Sequence, residues 1–198
     1  MKLGMSTNCF KGYSAEELVG VYEKANAFTF LEIWDDDGYF AETSRTPKEL
    51  SKVFADAGIG TSSVHAPFSN WSDSARDAFF ERFKRSCEKA KVFDARYIVV
   101  HPVVSSTEQP SENSSLALAM PNSLIIWRQL AEIASGFDLD VAFENLGISP
   151  QWPTGCSLGT VMEIIDAVQM GNVGICLDFS HCFALGQEDP DYGGPNLC

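Results

Sequence analysis

The 198-residue chain is 45% hydrophobic and 21% charged, a globular composition that supports one core and is short for two comfortable domains. Its 27 acidic residues against 14 basic ones give a formal net charge of −13, a balance that repels nucleic acid and anionic membrane over most of a surface. The chain enters a strand-like run directly after Met1, so a secretory leader is not expected, no apolar run resembles a membrane span, and six cysteines without a CxxC pair suit a reducing cytoplasm, with Cys87 and Cys176 as small buried apolar residues.

Short β-like runs alternate with helix-like runs from end to end, the pattern of βα units and a parallel sheet. A first strand is predicted over 3–7, then a helix opened by Ser14 with Glu17 in a capping box and closing near Asn26. A second strand over 28–33 leads into a loop holding Asp35, Asp36 and Asp37, which lacks the spacing of a calcium loop. The next helix starts at Thr46-Pro47 and stops at Ala57-Gly58. A third strand over 60–65 precedes a long helix over about 74–91 with Phe79, Phe83 and Val92 as its apolar stripe.

The fourth strand, Tyr97-Ile98-Val99-Val100, runs into His101-Pro102, and a Ser-, Glu- and Asn-rich loop over 105–115 follows. The helix after it is clearest over 124–135, with Pro121 marking its start or a break inside it. A fifth strand over 139–144, a loop with Pro150, Trp152, Pro153 and Gly155, a helix after Ser157 and a sixth strand over 173–178 complete the series. Six units fit either an open doubly wound sheet or part of an eight-unit barrel. Ionisable residues close five strands in succession, namely Glu32, His65, His101, Glu144 and Asp178. An open sheet gathers such residues at one switch point, whereas a barrel gathers them from every strand onto one rim, so the barrel is the expected fold.

Two of the three histidines stand among those strand ends, and the third, His181, is three positions past Asp178. Carboxylates and imidazoles are suitable ligands for a divalent ion. Glu144 and Asp178 close apolar strands where a bare carboxylate is expensive to bury, and few lysines stand nearby in sequence to pair with them. Both are therefore candidate metal ligands. His65, His101 and His181 are candidate substrate contacts or ligands, and Glu32 is either a substrate contact or a rim ion-pair partner. Trp34, Trp71, Trp152, Phe10 and Phe68 lie in predicted loops at the rim, where aromatic walls can pack on a sugar. Neither a GxGxxG nor a Walker phosphate loop is present.

Ser63-Val64-His65-Ala66-Pro67, Val99-Val100-His101-Pro102, Ala142-Phe143-Glu144-Asn145 and Cys176-Leu177-Asp178-Phe179-Ser180-His181 resemble, in order and strand position, the xylose-isomerase-like TIM-barrel superfamily. That group holds sugar phosphate isomerases and epimerases, inosose dehydratases and zinc-dependent apurinic endonucleases. The resemblance covers the whole chain and implies an α/β fold, an incomplete TIM barrel with about six of eight βα units, as a single domain over 1–198. It implies one divalent metal ion, Mn2+ or Zn2+ with Co2+ or Mg2+ as alternatives, held by Glu144 and Asp178, with Glu144 also the catalytic base. His65, His101, His181, Glu32 and Trp34 then become substrate contacts. A histidine after strand seven and a glutamate at strand eight complete the family's metal shell and have no counterpart here.

The expected activity is isomerisation or epimerisation of a small sugar or sugar phosphate by proton abstraction beside a carbonyl, with dehydration as a close relative. Two alternatives stay open: an apurinic-endonuclease-like zinc phosphodiesterase, which the surface charge disfavours, and a noncatalytic barrel-derived binding protein. A full TIM barrel takes about 250 residues, so the 198-residue chain is expected to lack a complete active site and to be catalytically weak. Open strand edges and an uncovered interior favour association into a homo-oligomer or partial aggregation. Size-exclusion chromatography with light scattering is expected to show this; a cooperative, nonaggregating monomer would count against it.

Overall fold

Most helices begin where the sequence supplies an acceptor for the N–H groups that a helix start leaves unpaired. The computed structural model describes residues 3–35, 45–67, 73–105, 107–108, 120–148, 152 and 155–182. Helix α1 (Ala15–Ala25) and helix α2 (Pro47–Asp56) each carry a full capping box, Ser14 with Glu17 and Thr46 with Glu49. Helix α3 (Arg76–Val92) starts without a side-chain cap. Helix α4 (Pro121–Ser135) also lacks a cap of its own, and Glu108 from the preceding loop accepts the Asn122 and Ser123 N–H groups at 2.7 and 2.9 Å instead. Helix α5 (Leu158–Val168) is capped by Ser157, whose Oγ accepts the Thr160 N–H at 3.2 Å.

Strands β1 (Gly4–Ser6), β2 (Phe30–Trp34), β3 (Gly60–His65), β4 (Tyr97–Val100), β5 (Asp140–Glu144) and β6 (Val173–Cys176) form one six-stranded sheet in sequence order. Every neighbouring pair is parallel. The fold is α/β, with six of the eight βα units of a TIM barrel, and the predicted strands and helices all appear with ends shifted by a few residues.

The period of two along each strand separates two environments. Leu31, Ile33, Val64, Ile98, Val100, Val141 and Phe143 point to the helices and share one cluster with Leu18, Leu50, Phe54, Phe83, Trp127 and Ile164. The alternate residues, Glu32, Trp34, Ser63, His65, Val99, Ala142 and Glu144, follow one another across the strand registers on the opposite, interior face. A bulge sets this phase in β3. Leu31 pairs with Thr61, but Glu32 pairs with Ser63, so Ser62 is an extra residue whose hydroxyl donates to the Leu31 carbonyl at 3.0 Å. Past it, Ser63 and His65 lie beside Glu32 and Trp34 on the interior side.

Two expectations are corrected here. In α3 the buried residues are Phe80, Phe83, Ser86, Cys87 and Ala90, with Phe79 only partly buried, and Val92 is 43% exposed. Nine residues separate Phe83 from Val92, about two and a half turns, which puts them on opposite faces. Trp152 is 1% exposed and its indole N–H donates to the Pro102 carbonyl at 2.7 Å, so it belongs to the packed layer and is no wall for a ligand. Phe10 meets Tyr13 edge-to-face at 5.6 Å and leans on the core. Trp71, Phe68, Asp36, Asp37 and most of the loop predicted over 105–115 lie outside the described residues.

Cys87 is fully buried, and burial pushes its thiol up to about 12. Cys176 is only partly buried, with its thiol likewise raised to about 12 by burial and by the nearby Glu144, Glu32 and Asp178 carboxylates. Among the described residues no helix is long and apolar enough to cross a membrane. On the outward side of β6 and just beyond it, Ile175 and Leu177 are 41% and 39% exposed.

The exit of β2 is tied to α3 by Asp35. Its buried carboxylate accepts the Ser86 hydroxyl at 2.7 Å and the Lys89 ammonium, and its backbone N–H donates to the His65 carbonyl at 2.9 Å. Removing the cation strands a buried carboxylate, so Lys89→Met is expected to destabilise the fold by about 2 kcal/mol, the partial exposure of Lys89 keeping the cost below that of a fully buried pair. Asp35→Asn in the same background is expected to recover part of the loss, and urea denaturation of the single and double variants reads the difference.

Candidate metal centre

Glu144 ends β5, which lies between β4 and β6, and its carboxylate is the hub of the site. It is 6% exposed. Its Oε2 lies 3.0 Å from His65 Nε2 and 2.8 Å from His101 Nε2. Its Oε1 faces the other way, 3.8 Å from His181 Nδ1. His65 ends β3 and His101 follows β4, and their rings meet edge-to-face at 5.1 Å. Two clusters result around one shared carboxylate, His65 with His101 and Glu144, and Glu144 with Asp178 and His181.

Asp178 lies past β6, at the start of a helical turn over 179–182. Its Oδ1 accepts the backbone N–H groups of Ser180 at 2.6 Å and His181 at 3.0 Å, which makes it an N-cap. Its Oδ2 stands 3.6 Å from His181 Nδ1. One carboxylate therefore shapes the turn with one oxygen and offers the other to the site. Asn145, fully buried, locks the two strand ends together: its Nδ2 donates to the Asp178 carbonyl at 2.8 Å and its Oδ1 accepts the Asp178 N–H at 2.7 Å. The Asn145 carbonyl also accepts His181 Nδ1–H at 2.8 Å, which leaves Nε2 as the ring's lone-pair nitrogen. Sequence reasoning passed over Asn145; an amide directly after a carboxylate at the end of an apolar strand is the signal that could have marked it.

Burial pushes the Glu144 carboxyl up, but contacts with His101 and His65 outweigh burial and hold it well below the usual carboxylate range. Burial dominates at His101 and brings its imidazole down to about 4 despite Glu144. The two directions are compatible when a neutral His101 stands against an ionised Glu144. His65 makes a different demand. Its Nδ1 lies 2.9 Å from the Ala66 carbonyl and its Nε2 faces the carboxylate, so both ring nitrogens meet acceptors, and a neutral ring has only one N–H. A second proton or a cation between Nε2 and Oε2 removes the conflict.

That is the chemistry of a metal site. Two ligands of one tetrahedral Zn2+, each about 2.0–2.2 Å from the ion, stand roughly 3.4 Å apart. The two His contacts on Glu144 Oε2, 3.0 and 2.8 Å, would open by about half an ångström to reach that spacing, while His181, whose Nδ1–H is taken by the Asn145 carbonyl, has only Nε2 to offer an ion. No Lys or Arg pairs with Glu144 or Asp178 among the salt bridges of the described residues. A cluster of His and carboxylate groups that could coordinate a divalent ion is therefore present.

Of the sequence candidates, Glu144, Asp178, His65, His101 and His181 converge. Glu32 stands apart from both clusters and accepts the Ser63 hydroxyl at 3.2 Å. Trp34 reaches the site only through His65, on which its indole stacks with ring centroids 3.9 Å apart.

The profile of the xylose isomerase-like TIM barrel family matches residues 22–193. The chain belongs to that family. Among curated relatives, the inosose isomerase of Halalkalibacterium halodurans is 29% identical over 175 residues, covering 86% of this chain and 59% of the relative. The inosose isomerase of Bacillus subtilis is 29% identical over 124 residues, covering 61% of this chain and 41% of the relative. The chain thus spans well under two thirds of these relatives. Among solved structures, the IOLI protein with a bound zinc atom superposes with a TM-score of 0.71 at 24% identity, covering 94% of this chain and 66% of that one. A D-tagatose 3-epimerase-like protein gives 0.71 at 22% identity, covering 91% and 66%. These family likenesses relate the chain distantly to inosose isomerases and fix its fold.

The position of His101 carries a pH signature. Its folded value lies near 4 and an unfolded histidine titrates near 6.5, so on acidification the unfolded chain binds the proton first. Stability from this group is full above about 6.5 and falls as pH drops toward 4, a loss on the order of 2–3 kcal/mol. Urea denaturation from pH 7 to pH 4 is expected to show a steeper acid loss in the metal-free wild type than in His101→Gln; equal slopes would remove His101 as the source.

Proposed function

We propose that the chain carries the metal-holding portion of a divalent-metal-dependent isomerase or epimerase acting on a small sugar, a sugar phosphate or a related cyclic polyhydroxy ketone. The observation that carries this reading is the convergence of Glu144 and Asp178 with three imidazoles at the C-terminal rim of the sheet, with no Lys or Arg paired to either carboxylate among the described residues. The names of the curated relatives, inosose isomerases, favour a polyhydroxy ketone as substrate, and the zinc of the IOLI protein favours Zn2+ among the candidate ions, with Mn2+, Co2+ and Mg2+ as alternatives.

Glu144 and the free Oδ2 of Asp178 would hold the ion, which when bound polarises a carbonyl and lowers the cost of removing a proton from the adjacent carbon. Glu144 stays ionised because two imidazoles face it. That is the form both a ligand and a proton acceptor need, although a carboxylate held so low is a weak base, so its anchoring role is the stronger of the two. Asn145 fixes Asp178 against β5 and aims His181. His65, His101, His181 and Glu32 line the interior where hydroxyls of a substrate would lie. The face of Trp34 that stacks on His65 is closed to a substrate.

The second reading, a zinc phosphodiesterase, draws on one specific feature, the His65, His101 and Glu144 cluster. Against it stands a chain with 14 basic residues and a net charge of −13, poorly suited to gripping phosphates.

Isothermal titration of metal-free protein is expected to show uptake of Zn2+ or Mn2+, with Glu144→Gln and Asp178→Asn each weakening it by tenfold or more. In a protein carrying all eight βα units, deuterium exchange at the carbon beside the carbonyl, across inososes, ketoses and their phosphates, is expected to depend on added metal and to fall in Glu144→Gln, while the 198-residue chain is expected to be weak or silent. Uptake unchanged in both variants would sink the assignment of ligands, and cleavage of abasic DNA without any exchange would favour the phosphodiesterase.

A further inference from the structure

The conflict at His65 raises the question of what keeps its imidazole pointing Nε2 at Glu144. Among the described residues, three neighbours besides Glu144 bear on the orientation of the ring. Its Nδ1 lies 2.9 Å from the Ala66 carbonyl. The His101 ring meets it edge-on, at 84°. The indole of Trp34 lies flat on it, with centroids 3.9 Å apart and planes inclined by 19°. The terminal torsion of a histidine is broad and soft, and the polar contacts at Nδ1 and Nε2 set the tilt of the plane less tightly than a flat stack does.

We infer that Trp34 is a positioning residue for His65, fixing the plane in which its Nε2 faces Glu144. The inference rests on the metal reading above for its binding arm only. The division of labour is geometric. The stack excludes tilted orientations but tolerates both flips of the ring within one plane, and the Ala66 carbonyl selects the flip that places Nδ1–H against it and Nε2 at the carboxylate.

Trp34 is itself held where the stack requires it. It pairs in register with His65 across β2 and β3. Its backbone N–H donates at 2.8 Å to the hydroxyl of Thr7, a residue with no exposed surface. The indole face on His65 is closed to any ligand, so its contribution to the site passes through the imidazole.

The test uses the full chain and the variants Trp34→Phe and Trp34→Leu, with His65→Gln to assign the His65 signals. An indole stacked at this distance shifts the carbon-bound protons of the His65 ring upfield. Proton NMR of the metal-free wild type is expected to show those two protons upfield of the corresponding protons of His101 and His181. The shift is expected to survive in part in Trp34→Phe and to vanish in Trp34→Leu.

In Zn2+ titrations with a competing chelator, Trp34→Leu is expected to lose about tenfold in affinity and Trp34→Phe to stay within about threefold of wild type, as for other residues that orient a metal-binding imidazole. Circular dichroism checks that each variant folds; should Trp34→Leu fail to fold, the wild-type spectrum and Trp34→Phe still decide. Ordinary His65 shifts in the wild type, or a Trp34→Leu protein with unchanged His65 shifts and Zn2+ affinity, would overturn the inference. A wild type that takes up no Zn2+ brings down the metal reading alone, because the NMR arm still assigns or denies the role of Trp34.

Discussion

A carboxylate buried at the end of β5, with no lysine or arginine paired to it among the described residues, is the constraint around which the rest of the site is arranged. An ionised group in that position is costly unless other groups stabilise its charge. Here the stabilisation comes from imidazoles delivered by two neighbouring elements, β3 and the segment after β4, together with a third beyond β6. Parallel strands make this convergence possible, because every strand presents its C-terminal end on the same side and adjacent ends stand one strand spacing apart.

The two sheet faces answer to different physics. On the helix side, apolar residues from four strands and the helices make one continuous cluster, and that layer accounts for the burial. The interior side is chemically mixed, with Glu32, Ser63, His65 and Glu144 interleaved with Trp34, Val99 and Ala142. The loop bearing His101 is pinned from the core side by two buried indoles, Trp127 to the Val103 carbonyl at 2.8 Å and Trp152 to the Pro102 carbonyl. The polar site thus borrows its rigidity from the apolar layer behind it.

Much of this was legible in the amino-acid sequence because its signals are local. The Ser14 capping box, the Thr46 cap with its proline, the strand β3 and the ionisable strand ends follow from residue type and spacing, and the family resemblance added the order in which those ends meet. What escaped was non-local. Glu108 caps α4 from fourteen residues before Asn122, which no capping pattern encodes. Asn145 works by bonding across to the next strand end. Trp152 looked like a loop aromatic because its neighbours are Pro and Gly, and its burial depends on a carbonyl fifty residues earlier. In α3, a choice between Phe79 and Phe80 as the inward residue rests on helix phase, which one register error of 100° is enough to reverse.

The bulge at Ser62 has a consequence for how such barrels change over time. Ser62 has no partner of its own on β2, so the pairing passes from Leu31 with Thr61 to Glu32 with Ser63 whether or not that residue is there. Losing it would straighten the strand and give up one hydroxyl contact, while His65 keeps its place beside Trp34 on the interior face. A bulge of this kind lets a barrel strand gain or lose a codon ahead of its rim residue with the chemistry downstream still in phase.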